Sequence, residues 1–122
     1  MAIKTVAAPL LLLLCLSAAS CNKKTGGSGA TYKGVIIKNL CCQAVVQTLG
    51  PNYLGQNNWP DSNTADLHIY NHVFKVANPC QFGNHQAGDT ITFKVIAQQP
   101  QNCACCMLYV ATPTTSYPIE VL

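Results

Sequence analysis

The stretch 90-TITFKVIA-97 decides the fold class. Ile91, Phe93 and Val95 alternate with Thr90, Thr92 and Lys94, which is the period of a half-buried strand. The turn Ala87-Gly88-Asp89 introduces it. Working outward, the same chemistry recurs. The segment 32-YKGVIIKNL-40 is a β-branched run, and 43-QAVVQTLG-50 is a second one, closed by Gly50-Pro51. Residues 67–77 form one long β-prone stretch or two short strands broken at Asn71. The segments 106-CMLYVAT-112 and 117-YPIEVL-122 close the chain, with Pro118 at a strand start or edge because it has no N–H for a ladder. The only helical signal is 78-NPCQFG-83, where Asn78 caps and Pro79 takes the first helical position.

Five or six short strands within residues 32–122 predict an all-β domain, a small antiparallel barrel. A two-sheet sandwich is the alternative. There is no internal repeat.

The chain begins MAIKTVAAPLLLLLCLSAASCNKKTGGSGAT. Lys4 is a short positive head, and the apolar run through Leu10–Leu14 is shorter than the ~20 residues of a membrane span. Residues 1–20 are therefore expected to be a signal peptide. Ala18-Ala19-Ser20-Cys21 reads as a lipobox, with Cys21 lipidated, and residues 21–31 then form a flexible Gly/Ser tether. The lipid bilayer is thus an expected partner, through acyl chains alone. The expected location is the bacterial cell envelope, at the outer membrane. A secreted or periplasmic soluble protein is the alternative, with Ala18 and Ser20 serving an ordinary cleavage site.

Past that cleavage there are six lysines, four acids and no arginine, a net of about +2. So weak and scattered a charge does not build a nucleic-acid surface. A domain this small buries only about 60–65% of its unfolded surface and needs further support.

Cysteine supplies that support. Cys41, Cys42, Cys80, Cys103, Cys105 and Cys106 are even in number, in a small domain sent to an oxidising compartment, which predicts a disulfide framework. The rival readings are Cu(I) or zinc held by thiolates, and redox chemistry. Cys103 and Cys106 stand at CxxC spacing, but the run lies beside a β-prone segment and not at a helix start, and the CC pair has no such spacing, so no metal site or cofactor is expected. His68, His72 and His85 could add ligands, but on strands His68 and His72 make no ready chelate. At least one bridge is expected between Cys41 or Cys42 and the 103–106 cluster, with Cys80 taking another member.

One stretch resists assignment: 50-GPNYLGQNNWPDSNTAD-66. Long loops in compact domains are often functional. Tyr53, Asn57, Asn58 and Trp59 are its candidate ligand residues, because aromatic faces among amides hold sugars and other polar, flat ligands. The plainer reading carries more weight: Trp59 covers one end of the barrel.

The layout resembles small β-barrel lipoproteins of the Bacteroidota envelope. The resemblance runs from residue 32 to the C-terminus. It rests on Gly34-Val35-Ile36-Ile37, an early cysteine, Pro79-Cys80-Gln81-Phe82, the Gly88-Asp89-x-Ile91-x-Phe93 run, late cysteines and Pro118-Ile119-x-Val121. Cys21-Asn22-Lys23-Lys24 is similar to their mature start. It implies an OB-like barrel in which an early and a late cysteine pair, and brings no activity. This chain departs by doubling the early cysteine, adding Cys80 and clustering the late ones. No carboxylate pair, nucleophile elbow or phosphate loop is legible. The expected function is a non-enzymatic, monomeric binding or accessory module with a saccharide or envelope-protein partner. The alternative is a thiol-based metal-sequestering or redox protein.

Overall fold

The computed structural model describes residues 30–122. The expected signal peptide, lipobox and nearly all of the expected tether lie outside the described residues. Eight strands and one helical turn follow in order. They are β1 (Tyr32–Leu40), β2 (Gln43–Leu49), β3 (Trp59–Pro60), β4 (Ile69–Tyr70), β5 (Val73–Val76), α1 (Pro79–Phe82), β6 (Thr90–Val95), β7 (Ser116–Tyr117) and β8 (Ile119–Val121). Six strands form one sheet in the order β7-β5-β2-β1-β6-β8, curled into a half-barrel. β3 and β4 pair separately.

The sheet is mixed, which corrects the antiparallel expectation. β5 and β7 run parallel, Lys75 opposite Ser116 and Val76 opposite Tyr117. Parallel neighbours need a long crossover, and the chain makes one through α1, β6 and the loop that follows. β7 and β8 are the two edge strands, yet only Pro118 separates them in the chain. Asn78 works across this region. Its side-chain nitrogen donates to Ile119 O (2.9 Å), and its oxygen accepts from Ile119 N (2.8 Å). Asn78 therefore does not cap α1 with its side chain, although Pro79 does open the turn as expected.

The concave face holds the main core: Ile36, Val46, Phe74, Phe82, Ile91, Phe93 and Ile119. Phe74 packs at a tilt on Phe93 (5.6 Å between centroids) and edge-on against Tyr117 (5.3 Å). Gly34 is required here by close approach. A Cβ on it would sit 2.6 Å from Val46 Cγ1 and 3.2 Å from Phe93 Cε1.

A second, smaller core lies on the opposite face of β2 and β5. It contains Val45, Val73, Trp59 and Ala111, with Ile37 and Tyr70 against it. Its origin is a bulge in β1. The register runs Ile36 opposite Val46, then Lys38 opposite Val45, skipping Ile37. One extra residue turns the side chains that follow to the other face. Lys38 thereby leaves the main core and meets Trp59 and Asp61.

The expected strand 106–112 is absent. Residues 96–115 carry neither strand nor helix. The expected strands at 32–40, 43–50 and 90–97 are present, and the 67–77 stretch is two short strands broken at Asn71 and His72.

Candidate functional site

The site begins at a turn. Leu40 pairs with Gln43, leaving Cys41 and Cys42 as a two-residue hairpin loop. Both are left-handed, with φ of 50° and 64°. Primed turns of this kind suit the twist of a hairpin, but their usual residues are Asn and Gly. A Cβ in this region costs about 1–2 kcal/mol per residue.

Sulfur offsets that strain. Cys41 bonds Cys106 and Cys42 bonds Cys105, so two neighbours on the turn meet two neighbours on the loop in antiparallel order. Cys80, in α1, bonds Cys103. The Cα–Cα separations are 5.0, 5.5 and 5.7 Å, ordinary spans for a bridge. Each bridge typically stabilises by about 2–4 kcal/mol. Polar contacts reinforce the third: Cys80 N donates to Gln101 Oε1 (2.8 Å) and Gln81 Nε2 to Pro100 O (3.1 Å).

The loop is thus pinned where it has no sheet to join. Directly after the last bridge come Met107, Leu108 and Tyr109, which are 99%, 55% and 74% exposed. Val110 and Ala111 then return to the interior. Leu40, beside the turn, is 53% exposed. Leu40, Leu108 and Tyr109 line a cleft of about 410 Å³ together with Lys38, Asp61 and Asn63.

Lys38 is buried there with its charge satisfied. Its Nζ donates to Asp61 Oδ1 (2.8 Å), Asn63 Oδ1 (3.1 Å) and Ala111 O (3.2 Å), and it lies 5.5 Å from the centre of the Trp59 ring. Asn63 Oδ1 also accepts from Ala111 N (2.6 Å). Tyr70 stacks near Trp59 at 6.0 Å. Its phenol is pushed above the ordinary tyrosine value, first by burial and then by the carboxylates of Asp61 and Asp66.

Three of the four loop candidates, Tyr53, Asn57 and Asn58, meet the Asn71–His72 turn, and the fourth is buried. Trp59 is only 7% exposed, and it covers the outer face of β2 and β5 rather than a barrel end. Asn57 Oδ1 accepts from His72 N (3.0 Å), and Asn58 N donates to Asn71 Oδ1 (2.9 Å). Tyr53 is 54% exposed and stacks on His72 at 4.0 Å. The loop between them lies flat on β5, where Gln56 and Val73 exchange backbone hydrogen bonds of 2.8 and 3.1 Å.

The remaining polar candidates are dispersed. His68 packs on Tyr70 (4.4 Å) and His85 on Phe82 (5.2 Å). Asp89 holds its own turn by accepting from Gln86 N (2.9 Å), and Glu120 faces Lys94 at 3.6 Å. A larger cleft, about 550 Å³, lies beside α1 and β8. Its polar lining includes Asn78 and Gln81, whose amides are engaged with Ile119 and Pro100, so the smaller, more apolar cleft is the better candidate. Among the described residues, one group has metal-ligand spacing: the sulfurs of Cys42, Cys103 and Cys105, within 4.8 Å of one another. All three are already in bridges.

Sequence reasoning missed the Met107–Leu108–Tyr109 tip and the Lys38–Asp61 pair. The signal for the tip was the crowding of Cys103, Cys105 and Cys106, since a segment stapled three times in four positions has little freedom to lie in a ladder. For Lys38 the alternation of β1 pointed inward but gave no sign of the bulge. No protein family, curated protein or solved structure matches this chain.

Proposed function

We propose that this chain is a non-enzymatic bacterial envelope lipoprotein, anchored through Cys21, whose stapled OB-like β-domain is a binding module for another envelope protein. The observation that carries the reading is the exposed Met107–Leu108–Tyr109 segment, pinned at its base by two bridges. Preorganised apolar side chains lose little freedom on binding, which is how a small contact gains affinity. Tyr109 and the cleft beside Leu40 offer an aromatic anchor and a place for a partner side chain.

The strand pairings support the OB-like reading: β1 lies between β2 and β6, β5 continues from β2, a helical turn separates β5 from β6, and one final stretch serves both β5 and β6. The choice of a protein over the bilayer rests on chain direction. The tether enters β1 at Tyr32, and the tip lies at the far end of that strand, on the order of 26 Å away at the usual rise. The end of β1 that follows the N-terminal segment and the tip are therefore at opposite ends of that strand. The six bridged cysteines favour this reading over sequestration of a metal by free thiolates.

The test is photo-crosslinking in the intact envelope from single positions. A crosslinker at 108 is expected to capture one protein, with capture lost in Tyr109→Ser, while a crosslinker at 53 captures none. Crosslinks from 108 to lipid, or from 53 and 57 instead of 108, would overturn it. The intact mass of the same protein reads the acyl chains on Cys21 directly.

A further inference from the structure

The three bridges are not independent of one another. Cys42 Sγ, bonded to Cys105, lies 3.9 Å from Cys103 Sγ, which is bonded to Cys80. That is close to van der Waals contact between sulfurs of different bridges. Thiol–disulfide exchange needs such a contact, because a thiolate must reach a bridge sulfur and displace its partner. Access is also provided. Cys103 and Cys105 are exposed, whereas Cys42 is half-buried. Residues 101–109 belong to no strand or helix, so no ladder opposes their movement.

We propose that this cluster is a thiol-exchange site for an external dithiol, and that it hands the attack from one bridge to the next. An incoming thiolate attacks Cys105 Sγ. The Cys42–Cys105 bond breaks, Cys105 is held in a mixed disulfide, and Cys42 leaves as a thiolate. Cys42 then attacks Cys103 Sγ, 3.9 Å away. The Cys80–Cys103 bond breaks, Cys42–Cys103 forms, and Cys80 leaves as a thiolate. The second thiol of the dithiol attacks its own sulfur in the mixed disulfide, closing to a disulfide and releasing Cys105. The dithiol gives up two electrons and two protons, and the protons end on Cys80 and Cys105. One protein bridge is reduced, one is replaced, and Cys41–Cys106 is untouched. The turn residue Cys42 moves its attachment two positions along the loop, from 105 to 103, at the base of Met107. This inference stands on the sulfur positions alone and holds whether or not the tip binds a partner.

The experiment treats the oxidised protein with one equivalent of dithiothreitol, quenches with acid, alkylates the free thiols and maps labels and bridges by peptide fragmentation. The expected result is label on Cys80 and Cys105 together with a Cys42–Cys103 link. Label on Cys80 and Cys103, or on Cys42 and Cys105, without that link would overturn it. A second measurement needs no reductant. In Cys80→Ser the Cys103 thiol is left beside the Cys42–Cys105 bridge, and at alkaline pH the label is expected to divide between Cys103 and Cys105. Label confined to Cys103 after equilibration would overturn the hand-off, and the wild-type measurement stands by itself if this variant folds poorly.

Discussion

Two long loops of this domain look alike in composition and are held in opposite ways. Residues 50–66 carry aromatics among amides, and residues 96–115 carry amides, cysteines and a short apolar run. The first is fixed by chemistry that excludes water: Trp59 buried on β2 and β5, Asp61 against Lys38, Gln56 paired with Val73. The second is fixed mainly by covalent bonds to the β1–β2 turn and α1, and Met107, Leu108 and Tyr109 stay outside while Val110 and Ala111 are buried. The loop that contributes to a core buries Trp59 in doing so and leaves only Tyr53 half exposed. The loop held by sulfur keeps its tip free to meet something else.

The largest effect is expected from breaking the sulfur side. Replacing Cys41, Cys42, Cys105 and Cys106 together by Ser should lower stability by about 4 kcal/mol or more, a large part of what a small domain has, as read by urea denaturation. The strain at the turn gives this a sharper form. With Asn at 41 and Gly at 42, and Ser at 105 and 106, part of that loss should return. No difference between the two variants would remove the claim that the bridges hold an unfavourable turn.

Next comes the buried pair. Asp61→Ala leaves Lys38 charged and unpaired beneath the loop, and about 3 kcal/mol of stability should be lost, with Trp59 fluorescence moving to the red as water enters. Replacing Lys38 by Met and Asp61 by Leu together should cost clearly less than Asp61→Ala alone, because no orphaned charge remains. Equal losses would mean that the pair is more exposed than its geometry implies.

The same urea assay should register almost nothing at the tip. Ser at 107, 108 or 109 is expected to change stability by less than about 0.5 kcal/mol each, since these side chains bury little. A loss well above that would place them in a core and end the contrast between the loops.

The smallest expected effect is with pH. Tyr70 has a raised folded value, so the folded state holds its proton more tightly than the unfolded chain does. Its contribution is therefore intact below the ordinary tyrosine value of about 10 and is lost as pH rises beyond it. Tyr70→Phe should flatten that alkaline decline, seen as a smaller drop in melting temperature above that pH.

Much of the fold was legible where local pattern and tertiary environment agree. β6 alternates in sequence and in burial, with Ile91 and Phe93 inside and Thr92 less so. The Asn78-Pro79 start of α1 was legible as well, although Asn78 turns its amide to Ile119 instead of the helix. Legibility failed where a distant partner decides. In β2, Ala44, Val45 and Val46 are all buried because both faces of the strand are covered, and alternation says nothing of a second layer. The parallel β5–β7 pair depends on where the chain returns after forty residues, which no local signal encodes. Residues 106–112 have the apolar content of a strand, but the chain has left the sheet after Val95 and Cys106 is tied to the turn at Cys41. Cysteine number was readable as bridges, whereas which sulfur meets which required the turn at Cys41-Cys42 to be seen.

The arrangement of β7 and β8 has a consequence for how neighbours are met. Both edges of the main sheet belong to one short stretch, two and three residues long and interrupted by an imino acid with no N–H. Another polypeptide finds almost no row of open backbone groups on which to lay itself down as a further strand. At high protein concentration this guards against edge-to-edge sticking and fibril growth. It also leaves recognition to side chains on loops, so affinity for a partner can change residue by residue while the sheet beneath stays the same.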